Sequence, residues 1–202
     1  AMPPMLVATK ATPANEEILG RISLTTRIFK GNHMRYAAIR AQVLHLLDRQ
    51  GSLDPFAQSG WAASLTSGNI KLRLASAHHY QVSIVKSWQK ADLIKSLSFF
   101  GFRLPTQDQY EYLQSGGRQS LFAFGNTLPP QLPRYLPNPF GLTIPVERAG
   151  SELIAEDIQK STALPAQPSA KAALALSPFY QAEGADDLTV ASYRPVATVT
   201  VN

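Results

Sequence analysis

Gly101-Phe-Arg-Leu-Pro-Thr-Gln-Asp-Gln-Tyr-Glu-Tyr-Leu-Gln-Ser-Gly-Gly117 is the stretch from which the rest of the chain can be read. A helix ends at Phe100-Gly101, the chain crosses Arg103-Leu104-Pro105, and a second helix starts behind Thr106. The Thr106 hydroxyl can accept from the backbone N–H three residues on, while Gln109 reaches back to the N–H of Thr106. That reciprocal pattern is a capping box. Gly116-Gly117 supplies a left-handed stop at the far end.

Upstream, Ser87 is a candidate N-cap for a helix over Trp88–Phe100, with Trp88, Ala91, Ile94 and Leu97 on one face. Asp92 suits the positive end of its dipole. Earlier still, Ile22, Leu24, Thr26 and Ile28 alternate with Ser23, Thr25 and Arg27, which predicts a half-buried strand. Gly31-Asn32 turns the chain into a helix from Met34 to about Arg49, with Ile39, Val43, Leu46 and Leu47 on its buried face and Gly51 ending it. After a polar loop from Asp54-Pro55 that contains Trp61, the runs Ile70–Leu74 and Tyr80–Val85 read as strands. Residues 1 to 18, rich in Pro, Ala and Thr, read as a flexible lead-in, leaving 19–202 as a single domain.

Downstream, 118–145 reads as loop, broken by a short strand at Phe122–Asn126 that enters a turn. Ser151–Lys160 suits a short strand or a helix. Ala163 to Ala173 is Ala/Pro-rich surface chain, and Val196–Val201 alternates as a closing strand. Strands flanking two to three helices, with a loop-rich half, make an α+β domain.

Composition narrows the function. There is no cysteine among the 202 residues, so disulfides, thiolate metal sites and cysteine catalysis are excluded. No apolar run approaches the roughly 20 residues that span a bilayer, and no signal-peptide core is visible. Ala1-Met2 reads as a tag remnant, and the cytoplasm is the default compartment. The net charge of +5 is spread along the chain without a Lys/Arg run. A weak nucleic-acid binder is therefore an alternative that rests on charge alone.

Four motifs follow one another across 82–142: Ser87-Trp88-Gln-Lys-Ala91, then Arg103-Leu-Pro-Thr-Gln-Asp-Gln-Tyr-Glu-Tyr112 with Gly116-Gly117, then Phe124-Gly125-Asn126, then Asn138-Pro-Phe-Gly-Leu142. In this order they resemble the formylglycine-generating enzyme family, also called sulfatase-modifying-factor domains. The family shows V-S-W-x-x-A, R-L-P-T-E-A-E-W-E-Y with a glycine pair, W-G-N and N-x-F-G-L. Tyr193–Val201 is similar to its closing G-F-R strand, with Arg194 for the arginine. The resemblance implies a C-type-lectin-like variant of the α+β fold. It also makes Trp88, Arg103, Pro105, Thr106, Gln109, Tyr110, Gly117, Gly125, Asn126, Asn138 and Gly141 structural motif residues.

The departures carry the functional expectation. The family's oxidase uses a cysteine pair that binds copper, and this chain has none. Its G-N-V-W-E-W segment is missing, with Gly150–Glu156 in its place. A calcium site is associated with that segment in the family. The span from Asn126 to Asn138 is too short to carry the loop that binds the family's other calcium, and the late R-G-G-S-W element has no counterpart. The helical histidine-triad domain of the iron-dependent sulfoxide synthases is also missing. The expectation is a non-catalytic binding module without metal or cofactor, which meets a protein, peptide or glycan through its C-terminal loops. Trp61, Arg118, Arg134, Tyr135 and Arg148 are its candidate ligand residues, because aromatic and arginine side chains dominate binding hot spots. The alternative is an enzyme with a cysteine-independent site in the same groove.

Other chemistry is weakly signalled. His33, His45, His78 and His79 lack metal-ligand spacing, and neighbours on a strand point to opposite faces. Asp108 and Glu111 sit three apart on the capped helix and Glu152 and Glu156 four apart, but acid–base work needs a cleft and shifted pKa values. The helix dipole accounts for Asp108, and Asp186-Asp187 after Gly184 reads as a turn. Arg103 is placed to donate to backbone carbonyls rather than to a substrate.

Overall fold

A computed structural model describes residues 2–51, 61–128, 135–145, 151–160, 170–182 and 187–200. In chain order the elements are β1 Met5–Val7, β2 Thr12–Pro13, β3 Glu16–Ser23, β4 Phe29–Gly31, α1 His33–Ala37 and α2 Arg40–Gly51. There follow β5 Ser64–Ser67, β6 Ile70–Ser76, β7 His79–Val85, α3 Lys90–Phe99 and α4 Gln107–Ser115. The remainder are β8 Tyr135–Pro137, β9 Thr143–Pro145, β10 Glu152–Leu153, α5 Ala170–Ala173, β11 Ser192–Tyr193 and β12 Val196–Thr198. This is a mixed α+β architecture. It divides into unit 1 (residues 1–15 and 88–202) and unit 2 (residues 16–87).

Unit 2 is a five-stranded antiparallel sheet, ordered β4-β3-β7-β6-β5. Its strands are rich in Ile, Leu, Val and Tyr at alternating positions, which suits a sheet with one face packed. Leu19, Ile22, Ile70, Leu72, Tyr80 and Val82 form a core with Tyr36 of α1 and Val43, Leu46 and Leu47 of α2. The expected single helix is two, because the chain turns at Ala38-Ile39 between α1 and α2. Asn32 joins β4 to α1, and its side chain caps α1 by accepting from Arg35 N at 3.1 Å.

The alternating run Ile22–Ile28 is a second correction. Its strand ends at Ser23, and Leu24–Ile28 is the connection to β4, closed by Arg27 N–H donating to Ser23 O and by a positive φ of 57° at Arg27. Period-two alternation cannot separate a strand from a tight connection that happens to alternate. Gly20 and Gly31 face each other across β3 and β4, and a Cβ on either would run into the opposite backbone.

In unit 1, β1 pairs antiparallel with β12, and β11 lies between β10 (parallel) and β2 (antiparallel). The segment read as a flexible lead-in thus carries two strands, and Ala14 is buried. Tertiary pairing overrides its Pro/Ala-rich composition. One apolar cluster joins Leu93, Leu97, Leu104 and Leu153, and another joins Leu113, Ala123, Leu142, Ile144 and Val196.

The N-cap of α3 is Gln89 rather than Ser87, with Asp92 Oδ2 accepting from Gln89 N at 3.0 Å, so Trp88 precedes the helix. The buried stripe of α3 is Leu93 and Leu97, while Ile94 is 37% exposed. Phe122–Gly125 is a tight bridged turn rather than a strand, with Asn126 Oδ1 accepting from Leu121 N at 2.8 Å. Within the chain read as loop, β8 and β9 form a hairpin. Ser151–Lys160 contains strand β10, and 161–169 lies outside the described residues. Among the described residues no helix is long and apolar enough to cross a membrane.

Candidate functional site

The Thr106 capping box forms as the spacing requires: Thr106 N donates to Gln109 Oε1 at 3.1 Å, and Gln109 N to Thr106 Oγ1 at 3.4 Å. Arg103 extends it, donating to Gln109 Oε1 at 2.7 Å and to Thr198 Oγ1 of β12 at 3.3 Å. The Arg103 backbone N–H also pairs with Val196 O, and Pro105 O accepts from Ala155 N. Arg103-Leu-Pro-Thr is therefore a clamp that ties the start of α4 to β12. Tyr110 is buried behind it.

At the other end α4 stops on Gly116 (φ 65°) and Gly117 (φ 73°). The Asn138–Leu142 turn closes hairpin β8–β9 against this stop. Asn138 Nδ2 donates to Leu113 O, while Asn138 Oδ1 accepts from Phe140 N at 3.0 Å and Leu142 N at 3.1 Å. One amide side chain thus satisfies a helix carbonyl and two turn N–H groups. Gly141 takes the left-handed position (φ 74°) in the turn.

A Cβ on Gly116 would run into Pro139 Cδ, so the helix end and the hairpin tip need glycine there. Gly116→Ala is expected to cost about 1–2 kcal/mol for the left-handed backbone and about 1–3 more for overpacking. Gly101, also left-handed at φ 75°, has open space around it. Gly101→Ala should therefore show the first cost alone in urea unfolding, and equal losses for the two variants would refute the Pro139 contact.

This junction presents an aromatic face. The rings of Tyr112 (39% exposed) and Phe140 (41% exposed) lie 5.1 Å apart, tilted by 42°, over Gly117. Arg118 follows directly, exposed, with its backbone N–H on Ser115 O. Of the expected ligand residues, Arg118 therefore stands beside an aromatic pair that the sequence reasoning missed. The signal was present: Tyr110 and Tyr112 are two apart on a helix, so they cannot share a face. Phe140 was quoted only as part of a turn motif.

The other expected ligand residues fall elsewhere. Trp61 belongs to unit 2, where it packs edge-on against Tyr80 at 6.2 Å with the Arg27 guanidinium 5.9 Å from its ring centre. Core packing and a cation–π contact account for it. Tyr135 contributes its backbone to β8, and Arg134 and Arg148 lie outside the described residues.

The buried polar groups of unit 1 satisfy one another. Glu152 accepts from Arg194 Nε at 3.1 Å and from Gln114 Nε2 at 2.9 Å. Arg194 also donates from Nη1 to Ala8 O at 2.8 Å and from Nη2 to Thr143 O at 3.1 Å. Lys160, also buried, donates to Glu111 at 2.6 Å and to Pro178 O at 3.3 Å. Glu156 accepts from Gln107 N at 2.9 Å, at the positive end of α4. Of the carboxylates weighed for acid–base work, Glu111, Glu152 and Glu156 thus hold structure together, and Asp108 is exposed in the first turn of α4.

The displaced pKa values have similarly local causes. Burial raises the phenols of Tyr193 and Tyr80, and that of Tyr36 against an opposing Arg40 charge. Hydrogen bonds from the Thr189 hydroxyl and then its backbone hold Asp187 below the ordinary carboxylate value. No group of three or more metal-ligating side chains occurs among the described residues.

No protein-family model, curated protein or solved structure matches this chain.

Proposed function

We propose that the chain is a divergent, non-catalytic relative of the formylglycine-generating enzyme domains, with their C-type-lectin-like variant of the α+β fold. In this reading the Tyr112–Phe140–Arg118 face of unit 1 meets a protein, peptide or glycan partner. The observation that carries the reading is the junction itself. The glycine pair that closes the Arg-Leu-Pro-Thr helix touches Pro139 and Phe140 of the Asn-Pro-Phe-Gly turn, so two family-like motifs meet under an exposed aromatic pair flanked by arginine.

The Glu152–Arg194 pair adds support. It joins the segment standing in place of G-N-V-W-E-W to the arginine that resembles the one in the closing strand. Retained scaffold contacts, together with the loss of the cysteines, favour recognition over catalysis. Exposed aromatics and arginine are the side chains that concentrate binding energy.

The test is selection from a random-peptide library and a glycan panel, followed by affinity measurement on Phe140→Ser and Arg118→Ala. Each variant should melt as the parent does and lose about 30-fold or more in affinity, equivalent to a hot spot of about 2 kcal/mol. Undiminished binding by both variants would place recognition elsewhere. Oxidation of a cysteine-containing peptide by the purified protein, or stoichiometric metal by elemental analysis, would overturn the non-catalytic reading.

A further inference from the structure

We propose that unit 2 carries a binding site for a small phosphorylated ligand in an open cavity of about 570 Å³ lined by Arg21, Lys30, His79, Ser23, Thr26 and Ile28. The volume lies within the range of small-molecule sites and leaves room for more than a bare phosphate.

Arg21 and Lys30 are direct cross-strand partners on β3 and β4, and like charges placed opposite each other weaken a strand pair. Among the described residues no carboxylate lines the cavity to relieve them. The acidic residues at the start of β3 are engaged elsewhere: Glu16 with Lys71 and Arg73, Glu17 with Arg35 and Lys86. A local conflict that the fold leaves uncompensated is the kind found at functional sites.

The hydrogen-bond polarity of the cavity points the same way. Ser23 Oγ accepts from Thr26 N at 3.2 Å, and Thr26 Oγ1 from Ile28 N at 3.4 Å, so each hydroxyl keeps its proton to donate. His79, the cross-strand partner of Ser23, has one ring nitrogen 3.3 Å from Ser76 Oγ and the other uncommitted. The side-chain groups are therefore two cations, two hydroxyl donors and an imidazole, with no acidic acceptor. A phosphate monoester, an acceptor-rich dianion, is complementary to that set. Ile28, 59% exposed, offers an apolar surface for the body that carries the phosphate.

The rim of the cavity is also preorganised. The loop bearing Thr26 and Ile28 is held by Arg27, which reaches Asp48 at 3.4 Å and lies over Trp61. A rim already ordered spares the ligand that entropy cost.

Titration calorimetry at low ionic strength with ribose 5-phosphate, ribose and inorganic phosphate tests the proposal. Ribose 5-phosphate should bind saturably with one site per chain, more tightly than inorganic phosphate, and ribose should give no signal. Arg21→Gln and Lys30→Gln should each weaken ribose 5-phosphate at least tenfold. They should leave the unliganded melting temperature unchanged or raised, since each removes the repulsive pair, and Lys95→Gln in unit 1 should change nothing. Parent-like affinity in both cavity variants, or no saturable binding to the parent, would overturn the site. Equal affinity for inorganic phosphate and ribose 5-phosphate would overturn the claim that the cavity holds a ligand body.

Discussion

Replacing Glu152 by alanine is expected to remove about 3–5 kcal/mol of unfolding free energy, the cost of leaving one member of a buried ion pair without its partner. Both side chains are withdrawn from solvent, at 1% exposure for Arg194 and 0% for Glu152. The alanine variant strands the guanidinium among Ala8 O and Thr143 O, which are dipoles rather than a counter-charge, and frees the Gln114 amide as well. The double variant Glu152→Leu/Arg194→Met should recover much of the loss, because it removes both desolvated charges together. Urea unfolding followed by fluorescence suits the measurement. The chain has 2 tryptophans, so a Trp61→Phe background leaves Trp88 of unit 1 as reporter. If Glu152→Ala lost less than about 1 kcal/mol, the size expected of an exposed pair, the two groups would not be buried together.

The second large effect separates neighbouring positions on β3. Ile22→Ala and Leu19→Ala should each cost about 2–5 kcal/mol, as large-to-small changes in a packed core do. Ile18→Ala should stay within about 0.5 kcal/mol, as surface changes do. Ile22 and Leu19 are 0% and 4% exposed, whereas Ile18 is 42% exposed. Strict alternation would put Ile18 and Ile22 on one face, since they are four apart. The register instead shifts between Ile18 and Gly20, so Leu19 is an extra residue that reverses the parity of the strand. Such a bulge leaves two residues opposite one. A large loss at Ile18 with a small one at Leu19, in the same unfolding assay, would mean that the register is unbroken.

The two predictions mark where sequence reasoning reaches and where it stops. The Thr106–Gln109 box and the Gly116-Gly117 stop were readable because every partner lies within a turn or two of chain. The strands over Ile70–Leu74 and Tyr80–Val85 were readable from their apolar alternation. The Leu19 bulge was not, because a bulge depends on which strand lies alongside. Nor was the order in the lead-in, where β1 and β2 form against β12 and β11 at the far end of the chain. The candidate face divides the same way. Arg118 and the Asn138–Leu142 turn stood out in the sequence, but the approach of Phe140 to Tyr112 depends on a hairpin folding back onto a helix end.

By itself, then, the sequence determined the capped helix α4, the strands over Ile70–Leu74 and Tyr80–Val85, and the absence of any thiol chemistry, because each follows from neighbouring residues or from composition. Only the tertiary structure decided that Glu152 finds Arg194, that Arg21 faces Lys30, and that Tyr112 and Phe140 are left in solvent together. Two of these join residues distant along the chain, and the Arg21–Lys30 pairing depends on the register of neighbouring strands. Burial, charge and exposure at such positions are set by strand register and packing, which no local pattern encodes.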